Sequence, residues 1–391
     1  MSVKKKPLFL TLLSLTLLLG IFFLPPKEIL AGIFRGTFSG GTLNLVLLIW
    51  ITVSFTALID EGRTIEQASL ILNGSSASPA FILPVFPAII GLFPMPGGAL
   101  VSAPMLEKLA EDKKIAPESK AVVNFWFRHL WEPIWPLYPG IILMMGYFDL
   151  SVGQVFAKQF FLTLLSIAGG IAFLLLPQAK NLPAKKGNGP FPLLRLLGEL
   201  WPVILLVAGV LLIPSGPLYL SILLILISVM YSVLKKLEMK KIYNAMKRGF
   251  SLKLLALIPI IFIFKYYVEH SGLKEAIEAV ITGSNFPLDL VIFTVPFIFG
   301  MLFGLTIAFI SMSVPLLMSF LVPEPGSVNT YYTTLLFLGG YAGILFSPMH
   351  LCLLLSKEYF KASLFKIYLK MLAPGAVLIA AGYLLNVLLN K

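Results

Sequence analysis

The chain has 391 residues, of which 58% are hydrophobic and only 12% charged, and its mean hydropathy is +0.93. That balance excludes an ordinary soluble domain and predicts an all-α polytopic membrane protein, because several apolar runs approach the roughly 20 residues that cross a bilayer. The net charge of +12 would suit nucleic acid in a soluble protein, but here the basic residues sit in short loops between apolar runs, as cytoplasmic loops do, so lipid and not nucleic acid is the expected surroundings.

The apolar run from Pro7 to Leu24 follows a basic start, Met1 to Lys6. It is long for a signal peptide, and Pro25-Pro26 follows without a small-residue cleavage site. It reads as a retained helix, about 8–24, with a cytoplasmic N-terminus. A second helix covers about 43–60, and a short amphipathic piece lies near Thr64–Leu72.

Next comes an apolar segment, about 79–104, that no uninterrupted helix can pass. Pro94 and Pro96 remove backbone donors, and Gly97 and Gly98 weaken helix further. Unpaired backbone in lipid costs several kcal/mol per group, so this stretch must be shielded by protein or line a polar cavity. The alternative is a spanning helix kinked at proline.

A polar loop at 105–118 precedes an overlong helix, about 119–147, interrupted by Pro133, Pro136 and Pro139. A helix at about 155–176 leads to a loop at 177–192 that reads as a mid-chain linker. Two helices follow, about 193–213 and 217–234, and then the most basic loop, 235–253. After a helix at about 251–268, the loop at 269–286 is acidic. Within it, Leu273, Ala276, Ile277, Val280 and Ile281 form an apolar stripe opposite Lys274, Glu275 and Glu278, the pattern of a helix lying on the membrane surface. A second interrupted apolar segment spans about 287–321. A helix at about 329–356, broken near Ser347-Pro348, a lysine-rich loop at 357–370 and a last helix complete the chain.

Loop charge orients these pieces. If both interrupted segments enter and leave on the same side, about nine transmembrane helices plus two re-entrant hairpins place every lysine-rich loop in the cytoplasm. If both cross fully, the loops at 177–192 and 235–253 face outward, against the lysine bias.

The two halves also match at a nearly constant offset. Gly62–Ile71 lies opposite Gly272–Ile281, Pro87 pairs with Pro296, Gly91 with Gly300, Ser102 with Ser313 and Pro104 with Pro315. Matched proline, glycine and serine mean matched backbone breaks. The expected organisation is a first repeat at 1–192, a linker helix at 193–216 and a second, inverted repeat at 217–391. Inverted repeats with paired broken helices suit alternating access around a midplane site.

Three phrases carry a resemblance: Phe93-Pro-Met-Pro-Gly-Gly-Ala-Leu-Val-Ser-Ala-Pro-Met105, Asn124-Phe-Trp-Phe-Arg-His-Leu-Trp-Glu132 with Pro136-Leu-Tyr-Pro139, and Ser347-Pro-Met-His-Leu-Cys352. Over nearly its whole length the chain resembles the domain of unknown function 401 family. More broadly it is similar to the ion transporter superfamily of divalent-anion:sodium symporters and gluconate and citrate carriers. The superfamily resemblance implies an elevator-type homodimer in the inner (plasma) membrane. The Ser-Asn-Thr hairpin motifs of the sodium–dicarboxylate members are absent, so sodium coupling and dicarboxylate substrates do not carry over.

The candidate site follows from the breaks. Hairpin tips present helix N-termini, which suit an anion; Pro94, Pro96, Gly97 and Gly98 form one tip and Gly304 and Thr306 the other. Ser102, Thr306, Ser311 and Ser313 offer hydroxyls there, or bond back within their own helices, and Ser347 joins them at the Ser347-Pro348 break. Arg128, His129 and Glu132 are ionisable residues at membrane depth, which mark pathways or relays; Arg128 and Glu132, four apart, could instead pair with each other. His350 can couple protons or hold a freed carbonyl. The reading is a secondary transporter of a small anion, an organic carboxylate foremost, coupled to H+ or Na+. An intramembrane enzyme acting on a lipid or peptide is disfavoured because the His-Glu-x-x-His motif is missing. An uncoupled anion channel is the other alternative. No cofactor and no metal are expected; the single cysteine, Cys352, excludes an intrachain disulfide and a multi-cysteine metal site.

Overall fold

The computed structural model describes residues 8–73, 79–95, 97–110, 115–179, 192–212, 216–283, 286–324 and 326–391. All regular secondary structure among these residues is helical. The first half comprises α1 (Leu8–Phe23), α2 (Pro26–Phe38), α3 (Gly40–Glu61), α4 (Thr64–Asn73), α5 (Pro79–Gly91), α6 (Ala99–Ala110), α7 (Pro117–Arg128), α8 (Pro139–Phe148) and α9 (Val152–Gly169). α9 runs through a π-helical turn, Gly170–Leu175, into α10 (Leu176–Ala179). Next come α11 (Leu193–Glu199) and α12 (Trp201–Leu212), bent by 76° at their junction. The second half comprises α13 (Pro217–Leu234), α14 (Met239–Gly249), α15 (Leu252–His270), α16 (Leu273–Gly283), α17 (Leu288–Phe303), α18 (Thr306–Leu321), α19 (Thr330–Leu345), α20 (Leu351–Tyr359) and α21 (Leu364–Asn390).

Four helices among the described residues are long and apolar enough to cross a membrane, and a fifth if the bent pair is one span. Large apolar side chains point outward on many helices, among them Phe22, Leu226, Val233 and Phe365, whereas Asn124, Arg128, His129, Glu132 and His350 are buried. Water would penalise that distribution and hydrocarbon favours it. The protein is a multi-pass membrane protein.

Two helices lie where the sequence suggested none. The basic stretch 235–253, expected as a loop, contains α14. Its Ala245 and Gly249 are buried against α3, where a methyl group on Gly249 would lie 2.0 Å from the Ser54 hydroxyl. Lys240 and Lys247 remain on its exposed side, while Arg248 reaches Asp60 at 3.1 Å and Glu61 at 3.2 Å. α2 uses the same device. Gly32 and Gly36 are buried against α15, and a methyl group on Gly32 would lie 2.4 Å from the Tyr267 ring. The packing is reciprocal, since α1 and α2 lie on α15 and α13 and α14 lie on α3. The stripe at Leu273–Ile281 is helical as expected, within α16, and none of its residues is buried.

Candidate functional site

Four interruptions position the site. The chain leaves helix at 92–95 and 97–98 between α5 and α6, at 129–138 between α7 and α8, at 304–305 between α17 and α18, and at 346–350 between α19 and α20. Proline or glycine marks each one. Gly97 has φ +76° and Gly304 φ +63°, both in the left-handed region that a side chain disfavours. α5 packs against α7, and α17 against α19.

The break after α7 answers the carbonyls freed at the end of α5. Trp131 Nε1 donates to Ala88 O at 2.8 Å, Trp135 Nε1 to Leu92 O at 2.7 Å and Tyr138 Oη to Gly91 O at 2.8 Å. Arg128 Nη2 donates to Met95 O at 2.8 Å. Backbone that would be costly bare in an apolar medium is thus paired by side chains. Contact is close, since a methyl group on Gly91 would lie 2.1 Å from Arg128 O.

At this first tip the Arg128 guanidinium lies against Gly98, immediately before the first turn of α6. A methyl group on Gly98 would lie 2.4 Å from Nη2. Arg128 is 3% exposed, and its Nε and Nη1 have no hydrogen-bond partner among the described residues. Asn124, one turn earlier on α7, donates to Ala99 O at 3.0 Å and to Ser356 Oγ at 2.9 Å, while its Oδ1 is unanswered among the described residues. The tip therefore combines a helix N-terminus with a buried cation whose donors are not all used.

The second tip is organised differently. Thr306, at the start of α18, donates to Glu132 Oε2 at 2.9 Å. Glu132 Oε1 is 4.0 Å from His129 Nε2, and His129 Nε2 is 2.9 Å from His350 Nε2. Ser347 Oγ donates to Met301 O at 2.6 Å and accepts from the Met349 amide at 3.1 Å. Tyr341 Oη donates to His129 O at 3.0 Å. Gly304 presses on His350, where a methyl group would lie 2.8 Å from the backbone N and Cα.

Most of the expected residues converge on these two centres, with corrections. Arg128 and Glu132 do not pair; α7 ends at Arg128, so the i, i+4 geometry that would join them is lost. Ser102 and Ser311 turn back to their own helices, Ser102 to Gly98 O and Ala99 O at 3.4 Å each and Ser311 to Ala308 O at 3.0 Å. Ser313 is fully buried with no partner among the described residues. Pro94 and Gly97 lie in the first tip, and Pro96 lies outside the described residues. Sequence reasoning missed Asn124, Trp131, Trp135, Tyr138 and Tyr341. The indole and phenol donors spaced through a proline-rich break were the available signal.

The fold is also found in the crystal structure of the YdaH transporter from Alcanivorax borkumensis. The similarity has a TM-score of 0.65 and 14% sequence identity, covering 97% of this chain and 96% of that one. No curated protein matches the chain. The model of the family described as "Protein of unknown function (DUF401)" matches residues 32–389, and the chain therefore belongs to the DUF401 family.

Proposed function

We propose that this protein is a secondary active transporter of a small anion, an organic carboxylate foremost, working by elevator-type alternating access coupled to H+ or Na+. One observation carries the anion reading. The buried Arg128 guanidinium has donors unanswered among the described residues beside the N-terminal turn of α6, where the helix dipole adds positive potential. A carboxylate placed there accepts from the guanidinium, which can hold it with two parallel bonds, and lies in the favourable field of the helix dipole. Similarity to a protein described as a transporter supports the transport reading. The reciprocal packing of α2 on α15 and α14 on α3 supports inverted repeats, with 1–192 and 217–391 as the units and α5–α6 and α17–α18 as re-entrant hairpins. The lysine-rich loops support an inner-membrane protein with a cytoplasmic N-terminus, and a homodimer is the assembly expected of such an elevator.

The test begins with purified protein and a panel of organic carboxylates, scored by thermal stabilisation. Stabilising compounds then go to sealed vesicles with an imposed Na+ or H+ gradient. Accumulation above equilibrium supports coupled transport, and equilibration alone indicates a channel. Stabilisation by organic cations and by no anion contradicts the reading. Topology is tested separately, with Cys352 replaced and single cysteines at Lys247, Glu278 and Lys366. Two hairpins place positions 247 and 366 on one side and 278 on the other. Opposite labelling of 247 and 366 rules out a re-entrant second segment.

A further inference from the structure

We propose that α14 is a contact site for anionic phospholipid: the helix lies in the headgroup region of the membrane and gathers negatively charged headgroups through Lys236, Lys240 and Lys247. This depends neither on the transported substrate nor on the transport mechanism.

The helix presents three faces. Ala245 and Gly249 are buried against α3, and the Trp50 indole donates to Met246 O at 3.2 Å, so α14 is fixed to the body of the protein. Met239, Tyr243 and Met246, with Phe250 at the C-cap, are spaced by four, three and four residues and form an apolar row that the protein leaves exposed. Lys240 and Lys247 each follow that row by one residue and are exposed beside it, as is Lys236 just before the helix. An apolar row alongside a basic one is the pattern of a helix in the membrane interface. The apolar side chains enter hydrocarbon while the lysine stems carry their charges to the headgroups.

Charge selects the kind of lipid. Lys235 is taken by Glu199 at 2.6 Å, and Arg248 by Asp60 and Glu61. Lys236, Lys240, Lys241 and Lys247 form no ion pair among the described residues, and Glu238 is the one acidic side chain within 235–248. Two other short helices make useful comparisons. α2 also exposes an apolar row, Leu30, Ile33, Phe34 and Phe38, but Glu28 accompanies Lys27, and Arg35 lies over the Tyr266 ring at 5.9 Å. α16 sets Glu275 and Glu278 against Lys274. Of the three, α14 alone adds uncompensated positive charge to an apolar row. Across a two-fold axis with a second copy of the chain those lysines would meet one another and repel, whereas an anionic bilayer surface attracts them.

The test places a bimane fluorophore on Tyr243→Cys in a Cys352→Ser background. Full-length protein is reconstituted in vesicles of equal parts phosphatidylglycerol and phosphatidylcholine, with brominated acyl chains on one lipid or the other. Bromine quenches on contact, so both lipids quench if the row faces hydrocarbon, and brominated phosphatidylglycerol quenches more if it is gathered. That excess is expected, and molar salt removes it. Each lysine near an anionic surface favours it by about fivefold, so Lys236→Gln/Lys240→Gln/Lys247→Gln brings the two lipids to parity. Lys361→Gln/Lys370→Gln, which removes two lysines elsewhere, leaves the excess in place, and a fluorophore on Phe34→Cys in α2 reports none. The proposal is overturned by equal quenching by the two lipids before any lysine is replaced, by an excess that survives the triple variant, by its equal loss in the Lys361 and Lys370 control, or by the same excess at position 34. Absence of quenching by either lipid overturns it too, and oxidation to a disulfide between two chains through position 243 would then show that a second copy covers the row.

Discussion

The two tips use the same backbone device in opposite electrostatic settings. Each turns at a left-handed glycine between two apolar helices and leans on a broken helix from elsewhere in the chain. At the first tip the broken helix supplies a guanidinium with donors to spare. At the second, the same α7–α8 break supplies a carboxylate already engaged by Thr306 and one imidazole, and the α19–α20 break supplies the other imidazole. The fits differ as well. Among the described residues, a methyl group on Gly97 would meet Leu355 alone, at 3.6 Å, whereas one on Gly304 would meet the backbone of His350 at 2.8 Å. One tip meets the movable end of a buried guanidinium, and the other packs against backbone and gathers a carboxylate and two imidazoles.

That contrast can be broken at several points. The largest effect is expected from Gly304→Leu, which adds both left-handed strain and a backbone collision. A loss of about 3 kcal/mol or more is expected, seen as a large fall in melting temperature; near-normal stability would mean that the second tip is not packed as described. Thr306→Val leaves a buried carboxylate oxygen unanswered and should cost about 1–3 kcal/mol. Thermal denaturation checks it, and a neutral outcome would detach Glu132 from the tip. Gly97→Ala carries only the left-handed penalty, about 1–2 kcal/mol. Stability within about 1 kcal/mol of wild type is expected for Gly98→Ala, because the methyl group meets the movable end of the Arg128 side chain and not backbone. Its effect belongs in ligand affinity, since the guanidinium must shift to admit it. Unchanged affinity would place the anion away from this tip.

How legible this arrangement is in the sequence depends on the range of each interaction. The breaks are legible because proline and glycine act on their own backbone: Pro94, Gly97, Gly304 and Pro348 all lie where helices stop. α2 and α14 are not, because each is a short helix of 13 or 11 residues whose buried face is made of glycine and alanine, not of large apolar residues. Their charges suggested loops. Arg128 and Glu132 look like a pair at helical spacing only if the helix continues, and it ends between them. The meeting of His129 with His350 joins residues far apart in the chain, with no local periodicity to announce it.

The most direct test of the account is the affinity of a stabilising carboxylate for Arg128→Lys, measured by calorimetry beside the melting temperature of the unliganded protein. Lysine keeps the charge and can still reach Met95 O, but it cannot form the two-bonded fork. The account predicts a loss of about 2 kcal/mol in binding, roughly 30-fold, with a melting temperature near that of the wild type. Wild-type affinity in a variant with lowered stability would contradict it, because Arg128 would then hold the first tip in place without touching the anion.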